Sequence, residues 1–501
     1  MRPARVPGRL PRPAAGFLLA ACLLASLLTA SAGATGSPDA GGQLAARMLS
    51  ATPVASDLED LCDRIGGRLT GGAACERSID WFAGRFREAA TDRVWTEEFP
   101  MPGLWEEGRS RAEITSPEKV SLAVVAMPFS PGTAKKGLEA PVIFLGDGEA
   151  STGEAGPRLR GALWLIDSKV IATWEDLFLD YLRLPPIMER ARTAGAAGIL
   201  LVGSRARDLL YRHVATLGET APFPMAILAR EDGLRLARLA RGGARLRLVL
   251  DVKTGPPFTS RNVLAEIRGR ERPEEIVLAG AHLDSWELGT GALDNGANCA
   301  MLLDVARQMA ATGRRPRRTV RFALFTGEEQ GMYGSLGYVR RHRDELDRHA
   351  AAVVFDTGTG RITGFSLGGR EDLKGLVEEA LGAVAGYDAT RHTTDAFVGT
   401  DNFDFLLEGV PNLVANQEPA NYMENYHASS DTFDKADLRE LKTNGAIAAA
   451  VIWGLADAPD RGARQDRAGI TALLDRTGLG PQMKTFGVWE AWEKRERGRA
   501  D

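Results

Sequence analysis

Three apolar segments in the second half of the chain each end in acidic or imidazole side chains. They are EEIVLAGAHLDSWELGTGALDNG, VRFALFTGEEQGMYGS and AAVVFDTGTG. A short apolar run without alternation is typical of a strand that is buried on both faces, as in a parallel sheet. In an open α/β sheet the ligand crevice lies at the carboxyl ends of such strands. The sequence therefore predicts an α/β fold in which these polar residues converge at one edge of the sheet.

The side chains at these strand ends are of types that bind metal ions. They are five candidate ligands and one further glutamate: His282, Asp294, Glu328, Glu329, Asp356 and, in the later segment NYHASSDTFDK, His427. Imidazole and carboxylate suit zinc, and two imidazoles with three carboxylates can serve two ions if one carboxylate bridges them. Two adjacent carboxylates cannot easily bind the same ion. We therefore expect one of Glu328 and Glu329 on metal and the other beside the attacking water as a general base.

A further carboxylate, Asp284, lies two residues after His282, on the same side of an extended chain. There it could accept a hydrogen bond from the second imidazole nitrogen and fix the tautomer of His282. Each motif alone also fits a structural role, as a satisfied turn, a solvated surface pair or a helix N-cap. Their order along the chain, each behind an apolar segment, favours the metal site.

The order of these motifs resembles that of the co-catalytic zinc exopeptidases, the family of the bacterial aminopeptidases and the glutamate carboxypeptidases. It runs H-x-D, D-N-G, G-E-E-x-G, a strand-ending Asp and Y-H-x-S-x-D-T. The likeness is greatest to the plasma glutamate carboxypeptidase branch, because it extends to RIGGRLTGGAACERSIDWFAGRFREAATDRVWTEEF near the N-terminus. It covers roughly residues 45–457.

The resemblance implies a mixed, mostly parallel sheet flanked by helices and two Zn²⁺ per subunit. By position, one zinc would be held by His282, Asp294 and Asp356. The other would be held by Asp294, Glu329 and His427. Glu328 would be the catalytic base for a metal-bound hydroxide, and Asp284 would orient His282. The implied substrates are short peptides or dipeptides, and the family is compatible with a homodimer.

Changes of texture along the chain divide it into segments. Residues 42–117 are expected to form the first part of the catalytic domain and residues 256–457 its main part, opening with an edge strand at NVLAEIRG. Between them, residues 118–252 carry short apolar runs separated by Gly and Pro, with one helix at IMERARTAGA. This segment resembles a smaller, β-rich protease-associated domain that would wall the cleft. Residues 458–501 form a C-terminal extension without an assigned function.

The N-terminus has the features of a targeting segment. Several arginines precede the apolar run AAGFLLAACLLASLLTA, which ends in the small residues Ala30-Ser31-Ala32. We expect residues 1–32 to be a signal peptide, so the mature protein would be secreted or periplasmic and keep no membrane span. Lipidation at Cys22, in a lipobox-like LAAC, is the alternative. Cys62 and Cys75 flank a Gly-rich loop and could form a disulfide or remain two free thiols.

Composition is that of a soluble enzyme. The chain is 44% hydrophobic and 26% charged with a formal net charge of -4, which gives no support for nucleic-acid binding. Rival functions are an aminopeptidase on longer peptides, a glutaminyl-cyclase-like transferase, or a non-catalytic receptor-like homologue. The last would have lost ligands, and none is missing. Sequence leaves open which end of the peptide the pocket recognises.

Overall fold

The computed structural model describes residues 40–148, 156–216 and 218–501. The predicted signal peptide and Cys22 lie outside the described residues. Within these ranges no helix is both long and apolar enough to cross a lipid bilayer.

Helices and strands alternate through the described residues. The strands are β1 (Arg93–Met101), β2 (Leu104–Glu107), β3 (Arg111–Ser116), β4 (Val120–Leu122), β5 (Val124–Ala126), β6 (Leu138–Phe144), β7 (Leu163–Ile166), β8 (Gly198–Val202), β9 (Met225–Leu228), β10 (Arg245–Val249), β11 (Val252–Gly255), β12 (Phe258–Ile267), β13 (Arg272–His282), β14 (Arg318–Phe325), β15 (His349–Val354), β16 (Ile362–Ser366) and β17 (Asn412–Gln417). The helices are α1 (Ala40–Met48), α2 (Val54–Asp60), α3 (Ala73–Glu88), α4 (Gly156–Leu159), α5 (Trp174–Ala194), α6 (Arg230–Ala240), α7 (Ala297–Ala311), α8 (Tyr333–Arg341), α9 (Lys374–Ala380), α10 (Asn402–Leu407), α11 (Tyr422–Asn425), α12 (Leu438–Asp457), α13 (Arg467–Thr477), α14 (Leu479–Thr485) and α15 (Trp489–Glu493). Shorter helical turns cover Leu61–Ile65, Ala292–Gly296, Arg343–Arg348, Glu371–Leu373, Gly382–Tyr387 and Phe433–Lys435.

The first sheet has seven strands in the order β1-β12-β14-β13-β15-β17-β16. Its four central strands, β14, β13, β15 and β17, are parallel, whereas β1, β12 and β16 pair antiparallel at the two sides. The predicted mixed α/β architecture is confirmed, with the parallel part limited to the centre. The predicted edge strand β12 is not at the edge, because β1 pairs along its outer side.

The register of the central strands brings their carboxyl ends level. His282 at the end of β13 lies opposite Phe325 at the end of β14, and Gly280 lies opposite Val354 at the end of β15. Alternate side chains of these strands enter two different cores. One core contains residues of α3, α7 and α12, and the other contains residues of α8 and α10. Helices therefore cover both faces, and the polar strand ends are left at one edge.

The second sheet has eight strands in the order β4-β3-β10-β6-β7-β8-β9-β5. All its strands lie between β1 and β12 along the chain. The first of them, β3, precedes residue 118, so the sheet begins before the segment that the sequence predicts. Strands β6 to β9 are parallel, and the helices α5 and α6 lie between successive strands. The second sheet and its helices therefore form an α/β unit. Helix α5 has 21 residues, and its second half corresponds to the helix predicted at IMERARTAGA. A two-stranded ribbon of β2 and β11 joins it to the first sheet.

The C-terminal extension is helical and packs on the rest of the molecule. Helices α13 to α15 share a buried core with Phe403 of α10 and with Met332. A buried ion pair joins Arg497 to Asp404 at 2.8 Å. Of the two alternatives for Cys62 and Cys75, the structure has the free thiols, both buried.

Candidate metal centre

The five predicted metal ligands converge at the carboxyl edge of the first sheet. They come from the end of β13, the turn after it, the loops after β14 and β15, and the segment after α11: His282, Asp294, Glu329, Asp356 and His427. They form two groups that share Asp294, and within each group the ligand atoms all lie within 4.8 Å of one another. This is the grouping that the family resemblance implies.

Asp294 stands between the two histidines. Its Oδ1 lies 3.1 Å from His282 Nε2, and its Oδ2 lies 3.4 Å from His427 Nε2. Asp356 Oδ1 completes the first group at 2.9 Å from His282 Nε2. Glu329 Oε2 completes the second at 2.8 Å from His427 Nε2. One carboxylate thus offers one oxygen to each group.

The donor set fits zinc ions. Two buried carboxylate oxygens, Asp294 Oδ2 and Glu329 Oε1, have no hydrogen-bond donor within the protein. Leaving such oxygens unpaired in the interior is costly, and a cation removes that cost. Imidazole nitrogen together with carboxylate oxygen is a set that suits zinc.

Backbone carbonyls fix the tautomers of both histidines. His282 Nδ1 donates to the carbonyl of Asp284 at 3.0 Å, and His427 Nδ1 donates to the carbonyl of Arg212 at 3.3 Å. Each Nε2 therefore presents its lone pair to the carboxylates, as a metal ligand must.

The carboxylate of Asp284 is placed differently from the prediction. Its Oδ1 lies 3.8 Å from His282 Nδ1, which is beyond hydrogen-bond distance. Its two oxygens instead accept from the hydroxyl of Thr70 at 2.9 Å and from the backbone N–H of Glu328 at 3.3 Å. Asp284 orients His282 through its main chain, and its side chain holds the loop that carries Glu328.

The paired glutamates differ in exposure. Glu329 is buried within the second group, whereas Glu328 is partly exposed beside the first. Burial raises the pKa of Glu328 well above its usual range; His282 opposes this rise, and the negative charge of Asp356 adds to it. Burial also raises the pKa of Glu329, with Asp294 next in effect. A carboxylate with a raised pKa is a better proton acceptor near neutral pH.

Three supporting residues were not assigned a role from the sequence, although the quoted motifs contain them. The first is Arg68, in RIGGRLTGG, which is fully buried. It donates to the carbonyls of Leu283, Thr290 and Gly291, so it fastens the segment between two ligands. The second is Thr70, whose hydroxyl donates to Asp284 and accepts from the N–H of Gly327 at 2.8 Å.

The third is Asp431, from the Y-H-x-S-x-D-T motif. Its two oxygens accept from the backbone N–H groups of Leu293 at 2.7 Å and Asp294 at 3.1 Å. Burial raises the pKa of Asp431 to about 7. Through these two hydrogen bonds, Asp431 holds the backbone of Asp294, the residue that both metal groups share.

A loop of the second sheet reaches the metal centre. Tyr211 pairs with Ala428 as an isolated β-bridge, and the N–H of Arg212 donates to the carbonyl of His427 at 2.9 Å. The ring of Tyr426 stacks on that of His427 with centroids 3.7 Å apart. His427 is therefore held by both sheets.

Comparison with known proteins finds similarity to peptidases. Residues 262–452 match peptidase family M28. Carboxypeptidase Q of Rattus norvegicus is 29% identical over 412 residues, which cover 79% of this chain and 84% of that protein. The crystal structure of a peptidase M28 precursor from Shewanella amazonensis SB2B has a TM-score of 0.76 and 27% identity, covering 86% of this chain and 99% of the other. BSAP, a zinc aminopeptidase from Bacillus subtilis, has the same fold, with a TM-score of 0.65 and 21% identity over 82% and 96% of the two chains. The match over residues 262–452 and the likeness to carboxypeptidase Q support a zinc-dependent exopeptidase.

Proposed function

We propose that the protein is a secreted two-zinc metallo-exopeptidase that hydrolyses the peptide bond of dipeptides and other short peptides. The observation that carries this proposal is the division of Asp294 between the two histidine-carboxylate groups. A carboxylate that bridges two ions is expected to place one oxygen toward each. Export is supported by the N-terminal arginines and the apolar run that follows them.

The residues divide between metal binding and proton transfer. His282, Asp294 and Asp356 would hold one zinc, and Asp294, Glu329 and His427 the other. When bound, a zinc pair polarises the scissile carbonyl and lowers the pKa of water.

Glu328 is left for proton transfer. It accepts a proton from the attacking water and donates it to the leaving amine. Its backbone is held by Asp284, which is held in turn by Thr70. Because the loop is fixed at both points, the carboxylate stays near the first group while the proton moves.

The second sheet is proposed to act as a protease-associated-like wall of the cleft. Its support is the loop around Tyr211 and Arg212, which packs on the segment that carries His427. In this role the second sheet selects peptides without supplying a metal ligand. A homodimer remains part of the proposal and can be tested by the mass of the protein in solution.

The test compares Glu328→Gln with Glu329→Gln on a free dipeptide. Glu328→Gln keeps the shape but removes the proton acceptor, so turnover should fall by at least about 10²-fold with zinc content unchanged at two ions per chain. Glu329→Gln should lose zinc as well as activity. Elemental analysis of both variants and the wild type checks this. A single zinc in the active wild type, or metal loss in Glu328→Gln alone, would contradict the assignment.

A further inference from the structure

The C-terminal extension, residues 458–501, touches both sheets. Its helices α13 to α15 rest on the first sheet through the core that contains Phe403 and Met332. After α14 the extension reaches the second sheet, where the ring of Phe486 contacts that of Tyr181 in α5 with centroids 6.0 Å apart. The extension therefore lies across the side on which the two sheets meet.

On the first sheet, the extension packs against the loops beside the proposed base. Met332, which belongs to its core, donates its backbone N–H to the carbonyl of Glu328 at 2.9 Å. Gln482 of α14 accepts from the backbone N–H of Val398 at 3.4 Å. Val398 precedes Asp401 by three residues, and Asp401 adds to the rise that burial causes in the pKa of Glu328. The extension therefore borders the side of the first metal group.

On the second sheet, Phe486 stands at the outer end of a row of aromatic rings that begins at the metal centre. The Tyr426 ring stacks on that of His427 with centroids 3.7 Å apart, and the Tyr426 hydroxyl lies 3.4 Å from that of Tyr181. Burial raises the pKa of Tyr181, and the charge of Glu329 adds to this rise, as expected for a ring near the metal ligands. Tyr426, Tyr181 and Phe486 are each partly exposed. A peptide that extends from the second metal group on this side therefore meets these rings.

Phe486 is held rigidly, although its ring is partly exposed. It caps the C-terminus of α14, and the next residue, Gly487, has a φ of 69°. The N–H of Val488 donates to the carbonyl of Met483 at 2.9 Å, and that of Gly487 donates to Lys484 at 3.1 Å. These two bonds form a Schellman motif, and the side chains of Met483 and Val488 are both buried in the same core. Phe486 can therefore act as a fixed wall.

Resting on the proposed function, we propose that Phe486 is a specificity-determining residue that ends the substrate cleft and makes the enzyme prefer a dipeptide to longer peptides. A chain that continues past the second metal group runs into this ring. The ring cannot give way without moving a closely packed core, which is costly. The extension thus has a role in selecting substrate length, without supplying a metal ligand or a proton acceptor.

The experiment measures kcat/KM of the zinc-loaded full chain on dialanine, trialanine and tetraalanine. The wild type should favour the dipeptide over the tetrapeptide by at least about 10-fold, since a misfit of one methylene already has an effect of that size. Phe486→Ala should remove most of this preference by raising kcat/KM for the tetrapeptide, with the dipeptide value and the zinc content unchanged. Phe486→Leu keeps an apolar contact but is smaller than the native ring, and it should give an intermediate ratio.

Trp489→Ala is the matched control. Trp489 lies three residues after Phe486 and is partly buried on the same core, but its ring lies against Lys484, whose Nζ is 4.9 Å from the ring centre. This variant loses a ring of the extension away from the cleft, so it should keep the wild-type preference for the dipeptide.

Two outcomes would overturn the proposal. One is a wild type that cleaves dialanine and tetraalanine equally well. The other is an unchanged ratio in Phe486→Ala, including an equal loss on both substrates, which would mean that the ring only stabilises the extension. If Phe486→Ala does not fold, the ratio in Phe486→Leu decides the same question. A wild type that cleaves no peptide with zinc present would instead refute the proposed function.

Discussion

Asp294 depends on a neighbour that the sequence did not single out. Asp431 accepts a hydrogen bond from the backbone N–H of Asp294. Because this bond holds the main chain of Asp294, its side chain can place one oxygen near His282 and the other near His427. Contacts of this kind are made through the backbone, where residue type gives little signal.

His349 allows a test of stability against pH at the same scale. Its Nδ1 donates to the carbonyl of Glu345 at 3.1 Å, and its Nε2 accepts from the hydroxyl of Tyr338 at 2.9 Å. Burial lowers the pKa of His349 to about 3. Because the folded pKa lies below the unfolded one, near 6.5, the unfolded chain binds more protons in the interval between them. Stability attributable to this residue is complete above about pH 6.5 and is lost as the pH falls toward 3.

We expect His349→Gln to reduce the loss of stability on acidification. The wild type should take up close to one more proton on unfolding at pH 5 than the variant does. Urea unfolding at several pH values between 8 and 4 measures the slope. Parallel slopes for the two proteins would show that His349 is not the group that titrates.

At the scale of elements, most of the site could be predicted because its signals are local. Each ligand follows an apolar run that predicts a buried strand, and parallel strands bring their ends together. Arg68 was not predicted, since its acceptor Leu283 is 215 residues away and carries no recognisable side chain for the role. The first half of α5 was also missed, because Pro185 and Pro186 interrupt its pattern inside the helix.

The loop that carries Thr70 connects two strand ends, and this gives a prediction for the element. Thr70→Val removes the hydroxyl that donates to Asp284 Oδ2 and accepts from the N–H of Gly327, so both groups lose this buried partner. We expect a loss of about 1–3 kcal/mol in the free energy of unfolding and lower kcat, with little change in zinc content. Thr70→Ser keeps the hydroxyl and is the control. Equal unfolding midpoints in urea for the Val and Ser variants would contradict this role.

At the scale of the whole molecule, the second sheet could be deleted by joining the two strands of the β2–β11 ribbon directly. The N–H of Gly108 donates to the carbonyl of Asp251 at 2.6 Å, at the end of the β2–β11 ribbon. A short Gly-Asn turn in place of residues 109–250 would therefore close the ribbon as a hairpin.

The shortened protein should keep the first zinc and weaken the second. His282, Asp294 and Asp356 lie on the first sheet, whereas His427 loses the carbonyl of Arg212. Zinc content measures this effect, with the full chain as reference. Loss of all zinc from a folded, soluble product would show that the first zinc site also depends on the second sheet.

The β2–β11 ribbon also has a consequence for how the chain folds. β1 must wait for β12, its only neighbour in the described sheet, until the whole second sheet has been synthesised. Closing so long a loop costs entropy, and an unpaired strand invites aggregation meanwhile. The ribbon places Leu104 opposite Gly255, just beyond the pairing of Met101 with Phe258. Once the second sheet has folded, the two strands therefore start almost in register, and the long closure becomes a short zippering step.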